Sequence, residues 1–238
     1  MQAIILAGGK GTRLRPYTTV LPKPMMPIGD MPILEILVRQ LKQQGIDSII
    51  IAVGYLHHVI ESYFKNGEKY GLPISYSIEK GPLGTAGPMH LIFDELEENF
   101  IVLNGDLLTS INFKNIFNYH IRQNAAATIA TFRRTVNIDY GVLELNQNSE
   151  LTNYSEKPSF DYKVSMGINV FKKSAIKPLI QHGEYLDMPD LMMKLKQKNQ
   201  KVFCYQEDCE WLDIGRLEDY SIAVETYESK KKKFLTDV

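Results

Sequence analysis

The sequence predicts an α/β fold: a doubly wound, mostly parallel mixed sheet with helices on both sides. Three observations support this prediction: apolar runs of strand length without alternation, amphipathic segments of helical length between them, and short connections. Strands that are apolar throughout are typical of parallel sheets, because crossover helices cover both faces of such a sheet.

Strands and helices alternate through the first half of the chain. Apolar runs predict strands, and segments with apolar residues three or four positions apart predict helices. Pro32 starts the first helix, Gly45 ends it, and Gly67 ends the second. The predicted strands are QAIILA, SIIIAV, PISYSIE and FIVLNGD, and the predicted helices are PILEILVRQLKQQG, HHVIESYFKNG and TAGPMHLIFDELEEN. This order predicts a Rossmann-like sheet.

The second half has a different pattern. The strands AAATIATF, DYGVLEL and KVSMGINVF follow one another with little helix between them, and helices return at DMPDLMMKLKQKN and RLEDYSIAVETYESKKKK. We expect an antiparallel or mixed extension of the first sheet. No Ser/Gly-rich linker separates the halves. We therefore predict one domain, residues 1–238, with lobes at about 1–110 and 111–238.

Composition excludes several classes of protein. The chain is 44% hydrophobic and 23% charged with a net charge of −1, which disfavours a nucleic-acid partner. No apolar stretch reaches the roughly 20 residues of a membrane span. Met1 leads directly into a strand pattern, so we expect no signal peptide and a cytoplasmic protein. Cys204 and Cys209 have no second ligand pair, so we expect reduced thiols and not a zinc site.

A glycine-rich loop, LAGGKGTRLRP, follows the first strand. It is not a Walker A loop, because GK followed by Ser or Thr does not occur. It is not a dinucleotide fingerprint either, because the third glycine would fall at Leu14. The loop carries three cations, Lys10, Arg13 and Arg15. Additional positive charge indicates more phosphate to neutralise, as in a nucleoside triphosphate.

Two lysines precede prolines, in LPKPM and SEKPS. Pro24 biases Lys23 towards an extended backbone, which would direct its ammonium group. A lone Lys-Pro pair is more simply an exposed turn. The repetition at Lys157 favours two phosphate contacts.

Two carboxylates follow apolar runs. Asp106 ends FIVLNGD, and Asp213 lies in EWLDIGR before a glycine turn and the last helix. Each is open to a simpler interpretation as a cap or turn residue. In open α/β sheets, however, ligands bind at the carboxyl ends of strands. One or two carboxylates together with substrate phosphates are what Mg²⁺ typically requires.

The segments LAGGKGTRLRP, LPKPM, GPLGTAG, NGD, EKP and WLDIG occur in this order. In this respect the chain resembles the sugar-1-phosphate nucleotidyltransferases, also called nucleoside-diphosphate-sugar pyrophosphorylases. The resemblance extends from Met1 to about Tyr227. EKGPLGTAGPM and EYLDMPDLMMKL are most similar to the mannose-1-phosphate guanylyltransferase-like branch.

The resemblance implies transfer of a nucleoside monophosphate from a nucleoside triphosphate to a hexose or heptose 1-phosphate. Similarity to the guanylyltransferase-like branch favours GTP as the triphosphate. Pyrophosphate leaves after in-line attack, and Mg²⁺ is the implied cofactor. Uridylyl, thymidylyl and cytidylyl transfer remain alternatives. The implied fold adds a smaller antiparallel sugar-binding lobe and lacks the C-terminal β-helix of some relatives. The oligomeric state is open, with a homo-oligomer among the alternatives.

The resemblance also assigns residues. The implied nucleotide-binding residues are Leu6, Ala7, Gly8, Gly9, Gly11, Thr12, Arg13, Lys23, Glu79, Gly84, Thr85 and Gly105. The implied sugar-phosphate-binding residues are Tyr140, Gly141, Glu156, Lys157, Ser165 and Asn169. The implied catalytic residues are Arg13, Lys23, Asp106, Lys157 and Asp213, with both aspartates as Mg²⁺ ligands. Gly84 is expected to let the base or ribose approach the backbone.

One departure and two rival functions are relevant. Relatives often have NAG and a Tyr where this chain has SMGIN, so Ser165 indicates a bulkier or differently substituted sugar. One rival is a non-catalytic sensor subunit, which the retained cations and carboxylates disfavour. The other is a phosphocholine-type acceptor, for which an aromatic cage is available near the acceptor segment from Tyr140, Tyr154, Phe160 and Tyr162.

Overall fold

Thirteen strands and six α-helices run along residues 1–235, the part of the chain that the computed structural model describes. The strands are β1 (Gln2–Ala7), β2 (Pro27–Ile28), β3 (Met31–Pro32), β4 (Ser48–Val53), β5 (Ile74–Ile78), β6 (Asn99–Asn104), β7 (Leu107–Thr109), β8 (Ala127–Asn137), β9 (Val142–Leu145), β10 (Leu151–Ser155), β11 (Ser159–Lys172), β12 (Val202–Tyr205) and β13 (Trp211–Asp213). The helices are α1 (Ile33–Gln43), α2 (His57–Phe64), α3 (Phe113–Gln123), α4 (Lys173–Ile176), α5 (Met188–Gln197) and α6 (Leu217–Phe234).

Seven strands form the main sheet, in the spatial order β12-β8-β11-β6-β1-β4-β5. Strand β1 pairs in parallel with both β4 and β6, and β4 pairs in parallel with β5. Strand β11 is antiparallel to its neighbours β6 and β8, while β12 is parallel to β8. The predicted mostly parallel mixed sheet is therefore confirmed.

Apolar cores lie on both faces of the sheet. Within β1, Ile5 packs with α1, α2 and α3 on one face, and Ile4 packs with α5 and the 85–96 segment on the other. This arrangement explains why the strand is apolar throughout rather than alternating. A third cluster holds α6 against α1 and the β2–β3 hairpin, with Tyr227 at 1% exposure.

Strands β8 and β11 continue beyond the sheet as an antiparallel arm, paired from Ser159↔Asn137 to Ser165↔Thr131. The separate β9–β10 hairpin lies between them in the chain. We call residues 132–164 the arm. Many of its large apolar side chains are exposed, among them Tyr140 at 78%. The arm corresponds to the small antiparallel lobe that the sequence predicts.

Two sequence predictions about local structure are wrong. The predicted helix after Thr85 is a 3-10 helix, Gly87–Glu95, and not an α-helix. Its start is held from outside, because the Leu186 carbonyl accepts hydrogen bonds from both Ala86 and Gly87. Sequence reasoning also missed the short strands β2, β3, β7, β10, β12 and β13 and the helices α3 and α4. Among residues 1–235, no helix is long and apolar enough to cross a membrane.

A buried carboxylate connects α1 to its neighbours. The Glu35 side chain is 2% exposed and accepts hydrogen bonds from Arg39 Nε at 2.9 Å and from the Tyr63 hydroxyl at 2.5 Å. Lys69 Nζ lies 3.8 Å away. Burial by itself raises the pKa of Glu35, but the hydrogen bonds from Tyr63 and Arg39 outweigh it and hold the pKa below its ordinary value.

We predict that Glu35→Gln lowers the free energy of unfolding at pH 7 by about 1–3 kcal/mol, because a buried charge-assisted network is broken. A depressed folded-state pKa gives stability that is present above the unfolded pKa, about 4.3, and lost as the pH falls through the folded value. The difference between wild type and variant should therefore narrow below about pH 4. Urea unfolding at several pH values measures it.

The matched control is Glu61→Gln, which removes another i,i+4 helix pair, with His57 at 3.3 Å, from a more exposed position. We expect a change within about 0.5 kcal/mol. Equal losses in the two variants, or a Glu35→Gln difference that is constant with pH, would contradict the assignment.

Candidate active site

A cavity of about 380 Å³ opens at the carboxyl ends of β1 and β6. This is the edge at which open α/β sheets bind ligands. The predicted residues that line it are Leu6, Gly8, Gly9, Glu79, Gly84, Thr85 and Asp106. The lining residues that sequence reasoning missed are Pro82, Leu83, Asn104, Tyr185 and Asp187.

The glycine-rich loop leaves β1 beside this cavity. Gly8 and Gly9 line it, and the chain then turns through a 3-10 helix, Thr12–Leu14. Leu14 anchors that turn, because its side chain is fully buried in the third core cluster. Ala7 does not face the cavity: it is 2% exposed and belongs to the core. The side chain of Ala7, which the resemblance implies to be a nucleotide-binding residue, therefore offers the cavity almost no surface.

Two further loop residues lie behind the cavity lining. The Thr18 hydroxyl donates to the Gly11 carbonyl at 2.8 Å, which closes the loop on itself. Gly105 donates its N–H to the Leu6 carbonyl at 2.9 Å, so the turn after β6 is held against the end of β1. Both glycines therefore position the loop, and Thr12 is exposed at its outer side.

Lys23 does not have the predicted extended backbone. It begins a 3-10 helix, Lys23–Met25, closed by hydrogen bonds from Met25 to Pro22 and from Met26 to Lys23. Pro24 occupies the second helical position, where its missing N–H costs no hydrogen bond. The Lys23 side chain is 11% exposed, and its ammonium forms an ion pair with Asp106. The lysine is therefore directed inward, towards the strand ends.

The two predicted metal-binding carboxylates come together. Asp213 ends β13, which pairs with β7 so that Asp213 lies opposite Leu107, the residue after Asp106. Burial first, and the Asp106 carboxylate second, raise the pKa of Asp213, whereas Lys23 and Arg13 act in the opposite direction. The Arg13 guanidinium lies beside Gly215, on the same turn. Two acids and two cations therefore share this edge.

This set of side chains fits a divalent ion that also binds substrate. Within residues 1–235, no group of three or more His, Cys, Asp or Glu side chains is arranged to hold a metal ion. Asp106 and Asp213 bring two carboxylates to this edge, close enough that the Asp106 charge contributes, after burial, to the raised pKa of Asp213. Mg²⁺ is commonly held by one or two carboxylates, with phosphates and water completing its shell.

Glu79 is another carboxylate that lines the cavity. A Cβ atom at Gly8 would lie 2.7 Å from Glu79 Oε1, so the carboxylate lies directly against the glycine-rich loop. Burial raises the pKa of Glu79, and a hydrogen bond from the Leu83 backbone N–H lowers it. The carboxylate is thus a partly desolvated acceptor facing a cavity.

Gly84 has a role in packing that sequence reasoning missed. Its φ is +77°, and a Cβ atom there would lie 2.5 Å from the Leu186 carbonyl oxygen. Only glycine fits this position. The close approach that the sequence predicts at Gly84 is therefore made by the protein's own backbone.

The predicted acceptor residues form a second group on the arm, outside the cavity lining. The Tyr154 hydroxyl donates to Glu156 Oε2 at 3.2 Å, and a Cβ atom at Gly141 would lie 3.1 Å from the same oxygen. Tyr140 and Lys157 are exposed beside them. Lys157 has φ +45°, so it too lacks an extended backbone.

The two predicted residues on β11 differ in exposure. Ser165 is exposed, and its hydroxyl accepts a hydrogen bond from the Gly167 N–H at 3.3 Å. Asn169 is 4% exposed between β6 and β8 and offers almost no surface to a sugar, so its predicted sugar contact is not supported. Gly167, with φ +72°, lies against Asn104 and links β11 to the cavity.

The missed residues had weak signals in the sequence. Asn104 immediately precedes Gly105 and Asp106, but it ends an apolar strand whose pattern predicts a buried position and not a cavity. Asp187 precedes Met188 and Pro189, a pattern that predicts only the start of a helix. Its position at the cavity depends on contacts between segments about 100 residues apart.

Comparison with known proteins gives the same family as the motifs. The nucleotidyl transferase family model matches residues 2–230. D-glycero-α-D-manno-heptose 1-phosphate guanylyltransferase of Aneurinibacillus thermoaerophilus is 34% identical over 222 residues, covering 92% of this chain and 95% of that protein. A solved structure of HddC from Yersinia pseudotuberculosis complexed with GMP-PN has a TM-score of 0.72 and 25% identity, covering 95% of this chain and 99% of that one.

UTP–glucose-1-phosphate uridylyltransferase of Synechocystis sp. is also 34% identical, over 253 residues and 98% of this chain. The chain spans 65% of the length of that relative, slightly less than two thirds. The relatives thus differ in the nucleotide that their names give, while the family model covers nearly the whole of this sequence. The chain belongs to the nucleotidyl transferase family.

Proposed function

We propose that this chain transfers a nucleoside monophosphate from a nucleoside triphosphate to a hexose or heptose 1-phosphate. GTP is the proposed donor, so the transferred group is GMP. The observation that carries the proposal is the meeting of Lys23, Asp106 and Asp213 at one strand edge, beside a glycine-rich loop. The products are a nucleoside-diphosphate sugar and pyrophosphate. The names of two relatives, a glucose-1-phosphate uridylyltransferase and a heptose 1-phosphate guanylyltransferase, support the acceptor class.

The proposed reaction forms one bond and breaks one. A phosphate oxygen of the sugar 1-phosphate attacks the α-phosphorus, and the bond to the β-phosphate oxygen breaks as pyrophosphate leaves. Such a step depends on positioning and charge neutralisation more than on proton transfer. Lys23 neutralises charge at the α-phosphate, and Arg13 neutralises charge on the departing β- and γ-phosphates. The glycine-rich loop orients the triphosphate through its backbone N–H groups.

Asp106 and Asp213 would hold Mg²⁺, which supplies charge neutralisation and orientation of phosphate oxygens when bound. Lys23 then has two roles in the proposed reaction, since it forms an ion pair with Asp106 in the structure and would also contact the substrate phosphates. Arg13 acts in a similar way on Asp213: its positive charge favours the ionised Asp213 carboxylate. In the proposed reaction, the same guanidinium also faces the substrate phosphates.

Glu79 supports guanine as the base. An ionised carboxylate only accepts hydrogen bonds, and guanine presents two adjacent donors, N1–H and N2–H₂. Uracil and thymine present a single donor, N3–H, between the carbonyl oxygens O2 and O4. A carboxylate repels these two oxygens. Glu79 lines the same cavity as Asp106, so a base held by Glu79 would lie in the cavity that Asp106 also lines. The heptose guanylyltransferase and the GMP-PN complex agree with this assignment.

The acceptor is proposed to lie between the cavity and the arm, with its phosphate on Lys157 and a hydroxyl on Glu156. Ser165 is a small exposed side chain, which leaves room for a bulkier sugar. A phosphocholine acceptor is less consistent with the arm. Ring contacts among the described residues do not join any two of Tyr140, Tyr154, Phe160 and Tyr162, so no cage is formed in advance.

The deciding experiment is a pyrophosphate-release assay with GTP, UTP, dTTP, CTP and ATP, each against mannose, glucose and heptose 1-phosphates. We expect the highest kcat/KM with GTP. A higher kcat/KM with UTP would contradict guanine as the base and support the uridylyl alternative. Silence with every pair would favour a non-catalytic sensor, and competition by phosphocholine would favour the choline alternative.

We predict that Asp213→Asn lowers turnover about 100-fold or more, because it replaces the charged carboxylate of the proposed Mg²⁺ site with a neutral amide. Burial raises the pKa of Asp213, so neutralising it should cost little stability. Asp106→Asn should lose turnover equally but also leaves buried Lys23 unpaired, which destabilises the fold. Pyrophosphate release and circular dichroism measure the two effects. Activity near that of the wild type in saturating Mg²⁺ would reject the ligand assignment.

We predict that Glu79→Gln reduces the preference for GTP over UTP about 10- to 100-fold, since a bidentate contact to a base edge contributes about 1–3 kcal/mol of discrimination. The ratio of kcat/KM values measures the change. Glu95→Gln, an exposed acid beside a different cavity at the opposite end of the sheet, is the control and should leave the ratio as it is. An unchanged ratio in Glu79→Gln would move base recognition elsewhere.

We predict that Lys157→Ala raises the KM for the sugar 1-phosphate about 10-fold or more and changes the KM for the nucleotide less. A charge-assisted hydrogen bond contributes about 1.5–3 kcal/mol. The control is Lys114→Ala on α3, another exposed lysine. Initial-rate kinetics with each substrate varied in turn separates the two constants. An effect confined to the nucleotide would reverse the roles of Lys157 and Lys23.

A further inference from the structure

Two segments from opposite halves of the chain are bonded together at the cavity. We call residues 82–87 the nucleotide loop and residues 183–188 the clasp. The Leu186 N–H donates to the Leu83 carbonyl at 3.0 Å, and the Leu186 carbonyl accepts from Ala86 at 2.9 Å and from Gly87 at 3.0 Å. Three backbone groups of the loop, the Leu83 carbonyl and the Ala86 and Gly87 N–H groups, are therefore paired with the clasp.

Two side chains complete this connection. Asp187 Oδ1 accepts from the Thr85 N–H at 3.1 Å and from the Thr85 hydroxyl at 3.2 Å. The Thr85 hydroxyl in turn accepts from the Met188 N–H at 2.7 Å. Met188 begins α5, and Asp187, its N-cap residue, makes no capping bond of its own. Thr85 therefore caps α5 from another part of the chain.

The second oxygen of Asp187 is also occupied. The Tyr185 hydroxyl donates to Asp187 Oδ2 at 2.7 Å, so both carboxylate oxygens already have donors from the protein. A carboxylate also repels a triphosphate. These two facts disfavour Asp187 as a direct nucleotide ligand, although it lines the cavity. They favour an indirect role, in which Asp187 acts on the substrate through the loop that it holds.

We propose that Asp187 and Thr85 are positioning residues that hold the nucleotide loop in its binding shape before the nucleotide arrives. The inference rests on the proposed nucleotidyl transfer, because it concerns the same cavity. Gly84 makes this packing possible, since its positive φ and missing side chain leave room for the Leu186 carbonyl oxygen, from which a Cβ atom would lie only 2.5 Å away. A loop ordered in advance loses less conformational freedom on binding, which favours affinity.

The test compares variants that keep or remove each contact. Thr85→Val removes the hydroxyl with little change of shape, and Thr85→Ser keeps it. Asp187→Ala removes the acceptor, and Asp187→Asn keeps Oδ1. We expect the Val and Ala variants to raise the KM for GTP about 10-fold, with kcat and the sugar 1-phosphate KM within about twofold. The Ser and Asn variants should remain within about threefold of wild type.

Two measurements without turnover distinguish the possible failures. Calorimetric titration with GTP and Mg²⁺ should give the same order of affinities as the KM values. Hydrogen exchange of residues 82–87 should accelerate in Thr85→Val and not in Thr85→Ser. This difference would assign the effect to the lost hydroxyl and not to a change in the size of the side chain. Because Thr85 is exposed, this pair remains informative even if Asp187→Ala folds poorly.

Specific results would overturn the inference. Equal effects of Val and Ser at position 85, unchanged exchange of residues 82–87, or a fall in kcat with unchanged KM would each do so. A change confined to the sugar 1-phosphate KM would make these residues acceptor contacts instead. If wild type binds none of the triphosphates, the proposed function fails, and the exchange comparison still decides whether the clasp orders the loop.

Discussion

The candidate active site depends on the pairing of two three-residue strands, β7 and β13. This pairing brings Asp213 opposite Leu107 and so beside Asp106, a residue from the other half of the chain. Hydrogen bonds at the far end of the pair, from Ser110 to the Glu210 carbonyl at 3.0 Å, keep the strands in register. The indole of Trp211 fastens the same strand to β11 by donating to the Met166 carbonyl at 3.0 Å. Neither half alone contains both carboxylates.

Charge balance follows from this constraint. Burial first, and repulsion by the Asp106 carboxylate second, raise the pKa of Asp213, and the nearby Lys23 and Arg13 oppose that rise. Lys23 reaches Asp106 because a 3-10 helix, and not an extended segment, carries it inward. The same cations would have to face substrate phosphates in the proposed reaction. A site that balances its own charges can be stable before the substrate adds more.

Sequence reasoning succeeded where structure is determined locally. Strands such as β1 and β4 are apolar because they are buried on both faces, so their composition alone predicts them. The rule that ligands meet strand ends then brought Asp106 and Asp213 together. It failed where a distant contact decides the outcome. Strand β7 exists because β13 pairs with it, and the 3-10 geometry after Thr85 exists because Leu186 holds its start.

The clasp shows why a glycine motif alone does not identify the atoms that it serves. In the sequence, PLGTAG is interpreted as a place where a ligand approaches the backbone. In the structure, the atom that approaches Gly84 is the Leu186 carbonyl oxygen, from about 100 residues away. A similar arrangement recurs at Gly167, which lies against Asn104. Glycine at these positions leaves room for an atom from a distant segment, a backbone carbonyl at Gly84 and the Asn104 side chain at Gly167, and both Gly84 and Asn104 line the cavity. Such a glycine therefore acts on a ligand indirectly: it allows the close packing that fixes the shape of the cavity before any ligand binds.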